Sequence, residues 1–232
     1  MAVSLARQIK DGERVFHGVA SPLPMIAILL AKRLHAPNAV YLNIGGGVDA
    51  RPQNLPFSTV SPALLKDTPA IFSLIDIFDL SAREALDLAF LGGVQIDSYG
   101  QINLSVIGDF HHPKVRLPGG AGAAAIMPTA KRTVLWRTRH DPKTIVERCS
   151  FVSAAGRTDR VVTPLCIFHK VNRQLELEYL HPGVTWEEVQ AQTGFALSAE
   201  GCIREALPPT PDELKILKEI DPQRVRDIEF KG

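Results

Sequence analysis

The sequence predicts a parallel α/β sheet, and three observations carry that expectation. Residues 13–47 alternate a strand pattern, a helix pattern, a second strand pattern and a glycine turn, the rhythm of parallel strands joined by crossover helices. Three glycine-rich turns, Gly45–Gly47, Gly92–Gly93 and Gly119–Gly122, each follow a predicted extended segment. Hydrophobic residues make up 45% and charged residues 22% of 232 positions, which suffices for a sizeable core without disulfides or metals.

Taken in order, Val3, Leu5, Ala6 and Ile9 fit a short amphipathic helix closed by Asp11-Gly12. Glu13 to Gly18 predicts a strand. Ser21-Pro22 starts a helix that runs through Met25 to Leu34, because a proline in the first turn gives up no needed hydrogen bond. A strand over Val40 to Ile44 then enters Gly45-Gly46-Gly47. Asp49 to Pro69, rich in Pro, Asn and Ser, predicts a long connection with a short strand near Phe57 to Val60. A helix is expected over Asp76 to Asp87, followed by a buried strand at Leu88 to Leu91.

Alternating residues from Gln95 to Ser105 predict extended segments around a turn at Ser98-Tyr99-Gly100-Gln101. The small residues Ala123 to Ile126 start a helix directly after Gly119–Gly122. Val134 to Trp136, Val162 to Phe168 and Gln174 to Tyr179 predict strands. Thr185 and Thr210 are expected to cap two late helices, the second over Pro211 to Ile220. No repeat or interdomain linker is evident, so residues 1–232 are expected to form one domain.

Composition also removes several function classes. Lys and Arg number 26 against 25 Asp and Glu, a formal charge of +1 that offers no attraction to nucleic acid or an anionic membrane. The longest apolar run, Pro22 to Ala31, is too short to span a bilayer, and the N-terminus lacks a signal-peptide pattern. Cys149, Cys166 and Cys202 are scattered and odd in number, which predicts free thiols in the reducing cytoplasm.

Glycine turns at strand ends let backbone N–H groups approach a phosphate or a thioester carbonyl, although each also serves as a tight turn. None completes a nucleotide phosphate loop or a dinucleotide fingerprint. Asp109, His111 and His112 are the densest titratable cluster. Their spacing matches no metal motif, and adjacent histidines on a strand would face opposite ways, so no metal is expected. A nucleophile elbow is absent, Cys166 sits in the apolar run Leu165 to Phe168, and Lys32, Arg33, Lys131 and Arg132 read as solvated surface.

The stretch Gly92-Gly93-Val94-Gln95-Ile96-Asp97-Ser98-Tyr99-Gly100-Gln101-Ile102-Asn103 and its continuation Ile107 to Lys114 resemble the β subunits of the class I coenzyme A-transferase family, glutaconate type. Gly119–Gly122, His35-Ala36-Pro37-Asn38, Gly46 to Asp49, His181-Pro182-Gly183-Val184, Thr193-Gly194-Phe195 and Ile220-Asp221-Pro222 extend the resemblance over nearly the whole chain. It implies an open, mainly parallel sheet layered between helices and a second, α subunit. It also implies a coenzyme A thioester as substrate with no permanently bound cofactor. Gly45, Gly46, Gly119, Gly120 and Gly122 would line the substrate pocket, with Gln95, Ser21 and Asn43 nearby.

In the transferases of this family a glutamate attacks the thioester. Here Ile44 occupies that position, with Asn43 and Gly45 on either side. The resemblance therefore implies a decarboxylase or a ring-opening carbon–carbon hydrolase, branches that lack the glutamate, with any general base on the α subunit. An authentic transferase and a non-catalytic partner of the α subunit remain as alternatives.

Overall fold

The structure, a computed structural model, describes residues 1–197 and 203–230. Its elements begin with α1 (Ala2–Ala6), β1 (Arg14–His17), α2 (Pro22–Leu34), β2 (Val40–Leu42), β3 (Gly47–Val48), β4 (Ala70–Ile71), α3 (Leu74–Ala82) and β5 (Leu88–Gly92). They continue with β6 (Gln95–Asp97), β7 (Ile102–Asn103), β8 (Val106–Gly108), β9 (Pro113–Arg116), α4 (Ala123–Thr129), β10 (Arg132–Trp136) and β11 (Ile145–Val146). The last are β12 (Thr158–Val162), β13 (Cys166–Val171), β14 (Gln174–Leu180), α5 (Trp186–Gln192), β15 (Arg204–Glu205) and α6 (Pro211–Ile220).

Contacts group these elements into two compact units. The first comprises Met1–Leu91, Thr129–Arg132 and the segment from Pro209 onward; the second comprises Gly92–Pro128 and Thr133–Pro208.

In the first unit the strand order is β5-β1-β2-β3-β4. Strands β5, β1 and β2 are parallel, with Val15 opposite both Leu88 and Tyr41, while β3 and β4 add antiparallel edges. The crossover helix α2 starts with Pro22 in its first turn and carries Lys32 and Arg33 in its last, where cations suit the helix dipole. It packs against α1, α6 and the short helical turn Val225–Phe230, so it is buried nearly all round. Each fully buried Leu or Ile there contributes about 1.5–3 kcal/mol. Because the crossover through α2 lets β1 and β2 pair in parallel, their carboxyl ends lie side by side.

The second unit orders its strands β10-β12-β13-β14-β15, parallel at both ends of that list and an antiparallel meander between. The small sheet β11-β6-β7 and the hairpin β8-β9 complete it. The strands thus pair in both senses: β1 and β2, joined by helix α2, are parallel, and β12, β13 and β14, joined by a few residues each, are antiparallel.

Several expectations are corrected. Val162 to Phe168 is not one strand but the end of β12, a turn at Thr163–Leu165 and the start of β13. Pro164 has no N–H for the ladder, and Thr163 Oγ1 instead gathers the N–H groups of Leu165 and Cys166. Phe57 to Val60 forms no strand; the local order there is a 3-10 turn at Pro62–Leu65, capped by Ser61. Helix α3 begins earlier than expected, behind a Ser73–Asp76 capping box, and ends at Ala82 because Glu84 turns to φ +55°. His111 and His112 lie in the hairpin loop, not on a strand.

Two of the basic residues expected in solvent are half-buried in ion pairs, Lys32 with Asp49 and Arg132 with Glu13. Cys166 is buried and Cys149 half-buried, both as free thiols, and Cys202 lies outside the described residues.

Candidate functional site

In the first unit the sequence-selected residues collect at the carboxyl ends of β1 and β2. The chain leaves β2 through a turn closed by Gly46 N–H donating to Asn43 O at 2.9 Å, which puts Ile44 and Gly45 at its tip. Ile44 is half-buried. Asn43 is fully buried, and its amide is spent on the fold. Its Nδ2 donates to Gly47 O (3.0 Å) and Leu64 O (3.1 Å), and its Oδ1 accepts from Gly47 N (3.2 Å).

The three glycines of this turn are glycine for different reasons. At Gly46, with φ +98°, a Cβ would lie 2.5 Å from Phe72 O, and at Gly47 it would lie 2.3 Å from Leu64 O. Close backbone packing accounts for both. Gly45 is looser, with the Asn43 side chain at 3.0 Å and the nearest backbone atom, Ser61 O, at 4.0 Å.

The loop after β1 carries Ser21, buried, whose hydroxyl donates to Val19 O at 2.9 Å. Beside it lies a pair that sequence patterns do not reveal. His17 Nδ1 is 3.0 Å from Gly18 O and Nε2 is 2.8 Å from the Tyr41 hydroxyl. Both side chains are fully buried, and burial lowers the His17 pKa to about 4 while raising that of Tyr41. A histidine and a tyrosine 24 positions apart give no local signal; parallel pairing of β1 with β2 joins them.

In the second unit Gln95 is buried at the start of β6. Its Oε1 accepts from Asn103 Nδ2 (2.8 Å) and Ser150 N (3.0 Å), and Asn103 in turn receives the N–H groups of Ser105 and Val106. Ser153 continues this polar line, 2.6 Å from Ser105 Oγ and accepting from Leu104 N. Gly119, at φ +100° and with nothing near its missing Cβ, is tied to Leu104 O by its N–H at 2.8 Å. Gly120 rests on Ser153, where a Cβ would make an ordinary 3.5 Å contact. Gly122 starts α4 by accepting from Ile126 N at 3.0 Å. These small residues leave room for close approach to the backbone, with Gln95 held in the polar line behind them.

Cys166 is no nucleophile: it is buried, and burial pushes its thiol up to about 12. Among the described residues no group of three His, Cys, Asp or Glu side chains is placed to hold a metal ion, and no helix is long and apolar enough to cross a membrane.

Parallel strands β5, β1 and β2, with the helix α2 crossing between β1 and β2, define an α/β chain. The chain belongs to the coenzyme A transferase family, whose model matches residues 1–192. It is 32% identical to the β subunit of the 3-oxoadipate CoA-transferase of Pseudomonas knackmussii over 95% of this chain and 91% of that one. It is 29% identical to the β subunit of the glutaconate CoA-transferase of Acidaminococcus fermentans, with the same coverage of each chain. Among solved structures, the decarboxylase AibA/AibB superposes with a TM-score of 0.92 at 29% identity, covering 98% of this chain and 95% of that one.

Proposed function

We propose that this chain, as a single β-subunit domain over residues 1–232, pairs with a CoA-transferase-like α subunit in a cytoplasmic enzyme that decarboxylates an acyl-CoA thioester. The observation that carries the reading is Ile44. The tip of the turn after β2, where a transferase of this family would carry its glutamate, holds a half-buried alkyl side chain. Isoleucine cannot attack a thioester. Similarity to the decarboxylase AibA/AibB over nearly the whole chain supports the same choice.

Decarboxylation asks for less than acyl transfer. The bond to the departing carboxylate breaks, CO2 leaves, and the electron pair moves into the thioester as an enolate that a proton then quenches. An apolar surface favours loss of the charged carboxylate, and backbone N–H groups stabilise the enolate oxygen. Ile44 would supply the apolar surface. Gly45, Gly46, Gly119, Gly120 and Gly122 would touch the substrate through their backbones, with Gln95, Ser21 and Asn43 supporting them.

An authentic transferase is the second reading, favoured by the names of the two transferase relatives. The test is mass spectrometry of products from the purified two-subunit complex given glutaconyl-CoA, with and without acetate. Acetate-independent loss of CO2 supports the decarboxylase. Formation of acetyl-CoA establishes a transferase whose carboxylate lies elsewhere, and inertness toward this substrate directs the search to ring-containing β-keto acyl-CoA compounds and hydrolysis.

A further inference from the structure

The hairpin β8-β9 carries an exposed group that the proposed chemistry does not use. Phe110 is 44% exposed, yet its ring is ordered on several sides: Phe151 stacks at 5.0 Å between centroids, Arg116 Cζ lies 5.1 Å from the ring centre, and His111 meets it edge-on at 5.5 Å. Arg116 Nη2 also donates to Phe110 O at 2.9 Å. The loop is held by Asp109, whose Oδ1 accepts from the N–H groups of His111 and His112, both at 2.8 Å. His112, Lys114 and Arg116 are exposed as well, and among the described residues neither Lys114 nor Arg116 has a carboxylate partner. An exposed pair of cations two residues apart on one strand, an ammonium group and a guanidinium plane, is the chemistry that receives phosphates.

Its position fixes which phosphates. Hydrogen bonds from Leu117 N to Ser105 O and from Gly119 N to Leu104 O continue the hairpin down to the glycine segment Gly119–Gly122. Arg116 is three residues from Gly119 and Lys114 five, spans of at most about 11 and 18 Å in extended chain. A coenzyme A thioester is elongated, with its reacting carbonyl at one end and a phosphorylated adenosine diphosphate at the other. We propose that the hairpin Val106–Arg116 is the seat of that nucleotide end, with Lys114 and Arg116 on the phosphates. This rests on the acyl-CoA reading above.

The test uses the two-subunit complex and a double substitution, K114A with R116A, both at exposed positions. The KM ratio between an acyl-CoA and the corresponding acyl-pantetheine, which lacks the nucleotide, is expected to fall in discrimination by about tenfold or more, because only the acyl-CoA loses affinity. Calorimetric binding of adenosine 3′,5′-bisphosphate should weaken to the same extent, and K114R alone should restore most of the Lys114 contribution. An unchanged ratio, or equal losses for both thioesters, would overturn the assignment, as would loss of the second subunit from the variant, which would make the hairpin a docking element. If the wild-type complex turns over no acyl-CoA, the decarboxylase and transferase readings fail. The bisphosphate measurement still decides the hairpin: variant-sensitive binding supports it and absence of binding rejects it.

Discussion

His17 accepts a hydrogen bond from the Tyr41 hydroxyl at 2.8 Å, inside the fold and away from water. The direction follows from the other ring nitrogen: Nδ1 faces the Gly18 carbonyl, which can only accept, so Nδ1 carries the proton and Nε2 is the lone pair. The pair holds the carboxyl end of β1 against β2, next to the loop that carries Ser21. Tyr41→Phe leaves Nε2 buried without a donor, and a loss of about 1–3 kcal/mol is expected in urea unfolding. A variant as stable as wild type would show that the bond contributes nothing.

The same burial makes stability pH-dependent. His17 is held at about 4 against an ordinary 6.5, and His140, buried between Thr163 and Thr193, is also at about 4. Both bind a proton more readily when unfolded. Stability is therefore complete above pH 6.5 and falls as pH drops toward 4, at up to about 1.4 kcal/mol per pH unit for each histidine. Melting temperatures measured from about pH 7 down to about 4.5 should decline, and His17→Gln should flatten the slope. A curve indifferent to that substitution would reject the assignment.

Asn43 is expected to behave as a turn lock. Asn43→Asp sets a carboxylate against the carbonyl oxygens of Gly47 and Leu64, replacing two donated hydrogen bonds with repulsion. A destabilisation of about 3 kcal/mol or more should follow. Full stability with lost turnover would instead assign Asn43 to the chemistry.

Glycine substitutions separate fold from ligand. Gly47→Ala drives a Cβ to 2.3 Å from Leu64 O and should cost well over about 1 kcal/mol, because backbone must move. Gly120→Ala meets Ser153 only at 3.5 Å and should leave the melting temperature within a degree or two. If Gly120 touches substrate, the alanine variant will nevertheless lose turnover by roughly tenfold or more. Unchanged kinetics would remove it from the site.

Ile44→Glu asks whether the turn can host a nucleophile. Ile44 is at the tip and half-buried, so the change is expected to cost about 1 kcal/mol or less. In the complex it should create an acyl-enzyme trappable by hydroxylamine, read as a mass change on this chain, where the wild type gives none. A wild type that is itself trapped on this chain would contradict the decarboxylase reading.

Much of the architecture was legible in local patterns. Pro22 to Leu34 and Pro211 to Ile220 form helices over the predicted residues, because an early proline and a following breaker, with Thr210 capping the second helix, act within a turn or two. Turns governed by a single residue were less legible: Pro164 divides β12 from β13 within a run of apolar residues that reads as continuous.

At the site, the order of residues along the chain is enough to establish that the turn after β2 carries Ile44 and no carboxylate, since covalent identity does not depend on folding. It also marks the three glycine segments and the histidine-bearing stretch Asp109–His112. What those residues are free to do emerges only in three dimensions. Asn43, polar and beside the turn, has its amide consumed by backbone atoms of Gly47 and Leu64. Gly46 and Gly47 are demanded by carbonyl groups from distant segments, whereas Gly45 and Gly120 are not. His17 meets Tyr41 through strand pairing, and Arg116 meets Phe110 across the hairpin loop. Hydrogen bonds and close contacts are set by distance in space, and residues far apart in the chain acquire those distances only when it folds.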